Sequence, residues 1–253
     1  LSDELARIEP TELIISEQTQ RYIDENNLLP IAFTGQLAVQ PSEIFNSEAA
    51  SDVLKSSFGD NAQDILGQSR IVRSAIAAAI TYIQETQKGA KVPLRLPQRA
   101  GEKLMQIDAA TRMSLELLRT NRGETKGALR ATMDKCVTAA GSRLLSSRIS
   151  APLCDASAIT ERHNMVGDFV GNSLVTSLLR AKLKSTPDIV RGLTRLALGR
   201  GGPREMLAIR SAVHVAAELV DELTGLDMPN EGNQRLIELA GRFIDQSHRV
   251  RKL

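Results

Sequence analysis

The strongest candidate for chemistry in this 253-residue chain is the acidic pair in residues 219–222, Leu-Val-Asp-Glu. Apolar residues before two acids resemble the magnesium-holding pair of P-loop ATPases, where the apolar residues form a buried strand. Here Glu218 interrupts the apolar run, and the surrounding spacing is helical. The sequence contains no Gly-Lys dipeptide, so it lacks the Gly-x-x-x-x-Gly-Lys-Ser/Thr loop that cradles nucleotide phosphates. We therefore interpret the acids as a solvated helix face.

A glycine-rich segment, residues 199–202 with the sequence Gly-Arg-Gly-Gly, is the second candidate. Backbone N–H groups at the start of a helix can bind a phosphate, and Arg200 and Arg204 would add positive charge. The same residues also suit a turn between two helices. We prefer the interpretation as a turn.

Histidine and cysteine form no metal-binding pattern. His163, His214 and His248 are far apart and lack a spacing such as His-x-x-x-His, so we expect surface or boundary positions. Cys136 and Cys154 form no Cys-x-x-Cys pair, which argues against a zinc or redox motif. We expect both thiols to be small buried core residues in a reducing cytoplasm.

Serine gives no catalytic pattern either. Ser142, Ser146 and Ser147 lie in a helical stretch without a Gly-x-Ser-x-Gly elbow. The sequence therefore predicts no catalytic, cofactor-binding or metal-binding residue, and no enzymatic activity of the chain's own.

Composition limits the partners that the chain can bind. Hydrophobic residues make up 42% and charged residues 25%, which is ordinary for a globular protein. Aromatic content is only 3% and the formal net charge is +2, whereas nucleic-acid surfaces are usually rich in basic residues, often with aromatic residues for base stacking. No apolar run approaches the ~20 residues of a membrane span. We expect no membrane partner and a cytoplasmic location, and any DNA contact must come mostly from other domains.

Two short runs carry a resemblance to a known family. Residues 107–112 read Ile-Asp-Ala-Ala-Thr-Arg and residues 141–145 read Gly-Ser-Arg-Leu-Leu, with Pro152-Leu153 closing the stretch. These runs resemble the start of the core, or lever, domain of the MutS family of bacterial DNA mismatch-repair proteins. Residues 146–149 depart from the family pattern, in which two basic residues and a Trp often follow the Leu-Leu pair.

The resemblance continues in order along the chain. Residues 155–162 and 196–205 resemble later helices and turns of the core domain, and residues 9–14 and 58–59 resemble the connector domain that precedes it. It implies a mainly α fold: a bundle of long lever-type helices at residues 67–253, before the clamp, preceded by the C-terminal part of a small α/β connector domain at residues 1–66.

The resemblance also implies what lies elsewhere. It covers neither the mismatch-reading domain, nor the DNA clamp, nor the ATPase domain to which ATP and magnesium bind. None of the five phenylalanines is followed two positions later by Glu, so the family's Phe-x-Glu mismatch-reading motif is absent from this sequence. The implied partners belong to the full-length family protein: mismatched double-stranded DNA, a second subunit in a homodimer, and other mismatch-repair proteins.

Apolar spacing and breaker residues predict the elements. A strand is expected at residues 11–15, with helices at 17–27 and 47–57. A longer helix is expected at 68–87, where apolar residues recur every three or four positions, with Gly89 at its end. We place the domain boundary near residue 67.

Helix starts can be read from capping preferences. Asp155 is a good N-cap, because its carboxylate can accept backbone N–H groups that lack helical partners. Thr186-Pro187-Asp188 predicts a helix with Pro187 in its first position and an acid at its positive end. Gly202-Pro203 gives the same signal.

The helix after Pro203 carries an apolar seam with steps of three and four, as in a coiled coil. Its members are Met206, Ile209, Val213, Ala216, Val220 and Leu223. The family's core helices join the ATPase end to the clamp end, so the helices at 68–87 and 203–224 are our candidates for a coupling lever. The alternative is a free-standing helical scaffold for protein–protein interaction. The missing initiator methionine and the abrupt end favour a fragment.

Overall fold

The computed structural model of the chain describes residues 2–28, 33, 35–87, 92, 94–97 and 104–225, together with residues 234, 237, 238, 241, 242 and 244. The fold is mainly α with one small parallel sheet, which confirms the predicted fold class. The chain divides into two compact units. The first unit is Leu1–Glu102 with Gln106–Leu115, and the second is Lys103–Met105 with Glu116–Leu253.

The first unit holds both strands and six helices of the described part. The strands are β1 (Glu12–Ser16) and β2 (Gln36–Gln40), and the helices are α1 (Ser2–Ile8), α2 (Glu17–Asn26), α3 (Ser47–Phe58), α4 (Gln63–Leu66), α5 (Arg70–Thr86) and α6 (Ala109–Ser114). The strands pair in parallel, with Glu12 opposite Gln36. Ser16 ends β1 and caps α2, accepting a hydrogen bond from the Thr19 N–H at 3.0 Å. The predicted strand and the helices at 17–27 and 47–57 are confirmed.

Helix α5 belongs to the first unit. Leu54 of α3, Ile65 of α4 and Ile80 of α5 form one buried apolar cluster. Burial of these side chains ties α5 to the preceding helices. The domain boundary predicted near residue 67, which puts this helix in the second domain, stays a prediction. The predicted terminal Gly89 lies outside the described residues, and α5 ends at Thr86.

The run at residues 107–112 also lies in the first unit. Asp108 caps α6, because its Oδ1 accepts the Thr111 N–H at 2.9 Å. The Ala109 N–H donates to Asp3 Oδ1 of α1 at 3.0 Å, and Arg112 is buried. The capping hydrogen bonds from Thr111 hold the pKa of Asp108 below its usual value. Asp108 therefore caps this short helix, and Asp3 of α1 accepts the N–H of its first residue.

The second unit holds the remaining described helices. They are α7 (Leu129–Met133), α8 (Ala139–Ser150), α9 (Ala156–Gly171), α10 (Ser173–Lys184), α11 (Ile189–Ala197) and α12 (Pro203–Gly225). A buried cluster of Val175 and Leu179 from α10 and Leu223 from α12 forms its core. No helix in the described part of the chain is long and apolar enough to cross a membrane.

Candidate functional site

Helix α8, which contains the run at 141–145, begins at a tightly packed turn. Thr138 is its N-cap and accepts the Gly141 N–H at 3.0 Å. A Cβ on Gly141 would lie 3.0 Å from Thr138 Oγ1 and 3.5 Å from Cys136 Cβ. The turn therefore leaves room for glycine and little more, which explains why Gly opens this run.

Ser142 joins α8 to the segment before it. Its hydroxyl donates to Asp134 Oδ2 and accepts from Arg130 Nη2 at 3.1 Å, while Arg130 lies 3.7 Å from Asp134. The hydrogen bond from Ser142 lowers the pKa of Asp134, so this carboxylate stays ionised. The Ser142 hydroxyl links the carboxylate of Asp134 to the guanidinium of Arg130. We call Ser142, Asp134 and Arg130 together the polar joint between α8 and the segment before it.

An open cavity of about 290 Å³ lies beside this joint. It is lined by Leu118, Thr125, Arg130, Ala131 and Asp134. Both charged residues on its wall already pair with each other or with Ser142, so the cavity presents no converging set of free polar groups.

Arg143, the next residue of the run, contacts a different element. Its Nη1 and Nη2 each donate to one carboxylate oxygen of Asp188 at 2.8 Å. Asp188 is the N-cap of α11, yet its side chain makes no capping hydrogen bond. The paired guanidinium lowers the pKa of Asp188. The prediction that Pro187 occupies the first helical position is wrong, because Asp188 is the cap and the helix begins at Ile189.

Residues 199–202 form a turn between α11 and α12. Gly199 has φ +65°, its N–H donates to Leu196 O at 3.0 Å, and the Arg200 N–H donates to Arg195 O at 2.9 Å. These two bonds are the Schellman end of a helix, which needs a left-handed residue. The Gly202 N–H donates to the carboxylate of Glu205 at 2.8 Å.

That carboxylate occupies the place that a phosphate would take at the start of α12. The Gly202 N–H lowers the pKa of Glu205, whose Oε1 also lies 3.3 Å from Arg195 Nε. The structure therefore favours the turn over the phosphate site. Helix α12 begins at Pro203, and Asp155 caps α9, so both predicted helix starts are confirmed.

Two acids of α12, Glu218 and Glu222, face α10 with side chains still 37% and 33% exposed, so the predicted solvated face is partly paired. Lys182 Nζ donates to Glu218 and lies 3.1 Å from Glu222 Oε1. The hydrogen bond to Glu218 raises the pKa of Lys182 and lowers that of Glu218. Asp221 is exposed. Within the described ranges, no group of three or more Asp, Glu, His or Cys residues is arranged to hold a metal ion.

The predicted seam of α12 is confirmed at Leu223 and wrong at Met206. Met206 is 61% exposed, whereas Ala212 and Leu223 are 2% and 3% exposed. Leu219 packs on the Val175, Leu179 and Leu223 cluster. Spacing alone cannot distinguish neighbouring rows on a helix, and α10 approaches the row that also carries Glu218 and Glu222.

Among the residues that the structure describes, the two cysteines, His163 and His214 belong to no metal-binding group. Cys136 and Cys154 are free and exposed, so the prediction that they are core residues is wrong. Both lie in connecting segments just before helix caps, where no core forms. His163 is exposed, His214 lies 3.1 Å from Glu218, and His248 lies outside the described residues.

Sequence reasoning missed the long-range ion pairs. Arg143 and Asp188 are 45 residues apart, and Lys182 and Glu218 are 36 apart. The only available signal was an arginine inside the run at 141–145 and an aspartate after a proline. Neither carries information about its partner.

The chain is similar to known proteins over nearly its whole length. Residues 1–98 match MutS domain II and residues 110–252 match MutS domain III. A DNA mismatch repair protein MutS from Nitrobacter winogradskyi is 41% identical over 234 residues, covering 92% of this chain and 26% of the relative. A protein of the same name from Rhodopseudomonas palustris is 41% identical over 233 residues, covering 90% of the chain and 25% of the relative. The chain thus spans about a quarter of the length of these relatives.

Proposed function

This chain belongs to the MutS family, and we propose that its second unit is a helical lever in a DNA mismatch repair protein. The lever couples an ATPase domain to a DNA clamp, both outside these 253 residues. The chain supplies no reacting group in this proposal. ATP and magnesium bind the ATPase domain, and the intact protein is a cytoplasmic homodimer that engages mismatched double-stranded DNA and other mismatch-repair proteins.

One observation carries the proposal, namely that helix α12 is long and is held at both ends. Its 23 residues extend about 34 Å at 1.5 Å per residue. Glu205 in its first turn contacts Arg195 of α11, and Leu223 near its end packs on α10, where Lys182 also pairs with Glu218. A rod that is fixed at two points transmits displacement from one to the other.

Coupling of two distant sites requires an element whose arrangement both sites bias. Helix α12 meets this requirement better than α5. Helix α5 packs on α3 and α4 within the first unit, whereas α12 contacts both α10 and α11 in the second unit. We therefore narrow the lever to α12 and its partners α10 and α11.

The experiment makes the backbone of α12 more flexible without changing any side chain on its packed face. Arg210 and Ser211 are exposed in the middle of the helix. Replacing both with glycine costs about 2 kcal/mol of helix stability relative to replacing both with alanine, because glycine is about 1 kcal/mol worse than alanine per helical position. The two double variants lose the same side chains and differ only in backbone stiffness.

The assay compares ATPase rates with mismatched and matched duplex in a full-length MutS protein that carries this sequence. We expect Arg210→Ala with Ser211→Ala to keep the mismatch-dependent change in rate, and Arg210→Gly with Ser211→Gly to reduce it. An unchanged response in the glycine variant, with circular dichroism showing a folded protein, contradicts the lever.

A further inference from the structure

Helix α8 contacts two separate segments through adjacent residues. Ser142 holds Asp134 in the segment before the helix, and Arg143 holds Asp188 at the start of α11. Neighbouring residues of a helix point about 100° apart, so α8 can serve as a junction between these two segments. In both contacts the acceptor is a carboxylate, from Asp134 or from Asp188.

Asp188 favours the contact with Arg143 over a local one. An aspartate at an N-cap normally accepts backbone N–H groups of its own helix, as Asp155 does at 3.0 Å from Ser157 N. The main partner of Asp188 is instead Arg143, with which it forms a two-pronged pair, and the Arg191 N–H of its own helix makes only a smaller contribution to its lowered pKa. Its side chain is 19% exposed against 44% for Arg143, so the carboxylate is the more protected partner. Paired, parallel hydrogen bonds of this kind fix orientation as well as distance.

Each end of α11 is therefore tied to another helix. Asp188 at its start binds Arg143 of α8, and Arg195 in its last turn lies 3.3 Å from Glu205 of α12. Gly192 between them is buried, which allows close packing of the helix on its neighbours. Helix α11 therefore links α8 to the start of α12.

We propose that Arg143 and Asp188 are positioning residues that set the place of α11, and through it the start of α12, relative to α8. The inference rests on the proposed lever function, because it names the contact by which the lever is held at its first end. No substrate or nucleotide contact is assigned to either residue.

The first test asks whether the pair holds α11 in this chain. Amide hydrogen exchange of residues 189–197 is compared in Arg143→Gln, Asp188→Asn and the double variant. We expect each single change to speed exchange about three- to tenfold and the double to be no worse than Asp188→Asn, because that change already removes the pair with Arg143. Arg191→Gln is the matched control, since Arg191 lies 3.4 Å from the same carboxylate but is 79% exposed. Additive effects of the two single changes on exchange, or an effect of Arg191→Gln as large as theirs, would contradict the proposed role of the pair.

The second test asks whether the pair positions the lever. In the full-length protein, Arg143→Gln and Asp188→Asn should lower the ratio of ATPase rates with mismatched and matched duplex to a similar extent, while the rate without DNA stays unchanged. A loss of basal rate in step with the ratio, which indicates general destabilisation, overturns the positioning role.

The two proposals fail in different ways. An unchanged ratio in Arg143→Gln, alongside a reduced ratio in the glycine variant of α12, overturns the role of the pair and leaves the lever intact. Unchanged ratios in both overturn the lever and the pair together.

Discussion

Replacement of Leu223 by alanine tests the packing of α12 on α10. Leu223 is 3% exposed and packs on Val175 and Leu179, which are 2% and 7% exposed. Removal of a leucine side chain from such a site loses its transfer free energy and leaves a cavity, at a cost of about 2–5 kcal/mol. Leu207→Ala is the matched control on the same helix. Leu207 is 59% exposed, so its replacement should change the free energy of unfolding by less than about 0.5 kcal/mol.

The assay is urea unfolding followed by circular dichroism, with hydrogen exchange to assign the effect to α10 and α12. Exchange is needed because the chain contains two compact units that can unfold separately. We expect Leu223→Ala to lower the midpoint and to speed exchange in both helices, with no change in α5. A cost below about 1 kcal/mol, or equal costs for Leu223→Ala and Leu207→Ala, would refute the assignment of Leu223 to the core.

Three further predictions concern helix ends and charge. Gly199→Ala should destabilise by about 1–2 kcal/mol because φ is +65° there, whereas Gly167→Ala, in mid-helix with open space, should stabilise by about 0.5–1 kcal/mol; thermal melts compare them. Asp155→Ala should cost about 1 kcal/mol by loss of a helix cap, measured by urea unfolding. The fold lowers the pKa values of Asp188 and Glu205, so both carboxylates stabilise the fold at pH values above the ordinary carboxyl range near ~4. This stabilisation is lost as the pH falls through the lowered pKa values. In an acid titration, the free energy of unfolding of Asp188→Asn should therefore depend less on pH than that of the unchanged chain.

Local signals in the sequence were sufficient for most helices. Gly202-Pro203 fixes the start of α12 because proline suits the first turn, and Asp155 fixes the start of α9 because its carboxylate has N–H partners nearby. The same reasoning failed at Pro187. There, Asp188 pairs with Arg143, 45 residues away, and the helix begins at Ile189, two residues later than predicted.

Tertiary contacts account for the other differences. Periodicity predicted the helix at 70–86, but only the cluster of Leu54, Ile65 and Ile80 shows that this helix belongs to the first unit. Periodicity also predicted α12, yet the face on α10 includes Leu219, Glu218 and Glu222, which lie outside the predicted seam. The run at 141–145 carried the family resemblance but predicted no site, and its ion pairs depend on chain segments that come together only in the fold.

Binding of this chain to matched and mismatched duplexes, at low and physiological salt, is the most direct test of whether the chain itself recognises mismatches. A lever that couples other domains does not recognise them. Contacts to phosphates weaken steeply as salt rises, so the two conditions separate electrostatic binding from recognition. We predict at most weak binding that salt abolishes, with no preference for the mismatch. A clear mismatch preference at physiological salt would contradict the account and locate a reading surface within these residues.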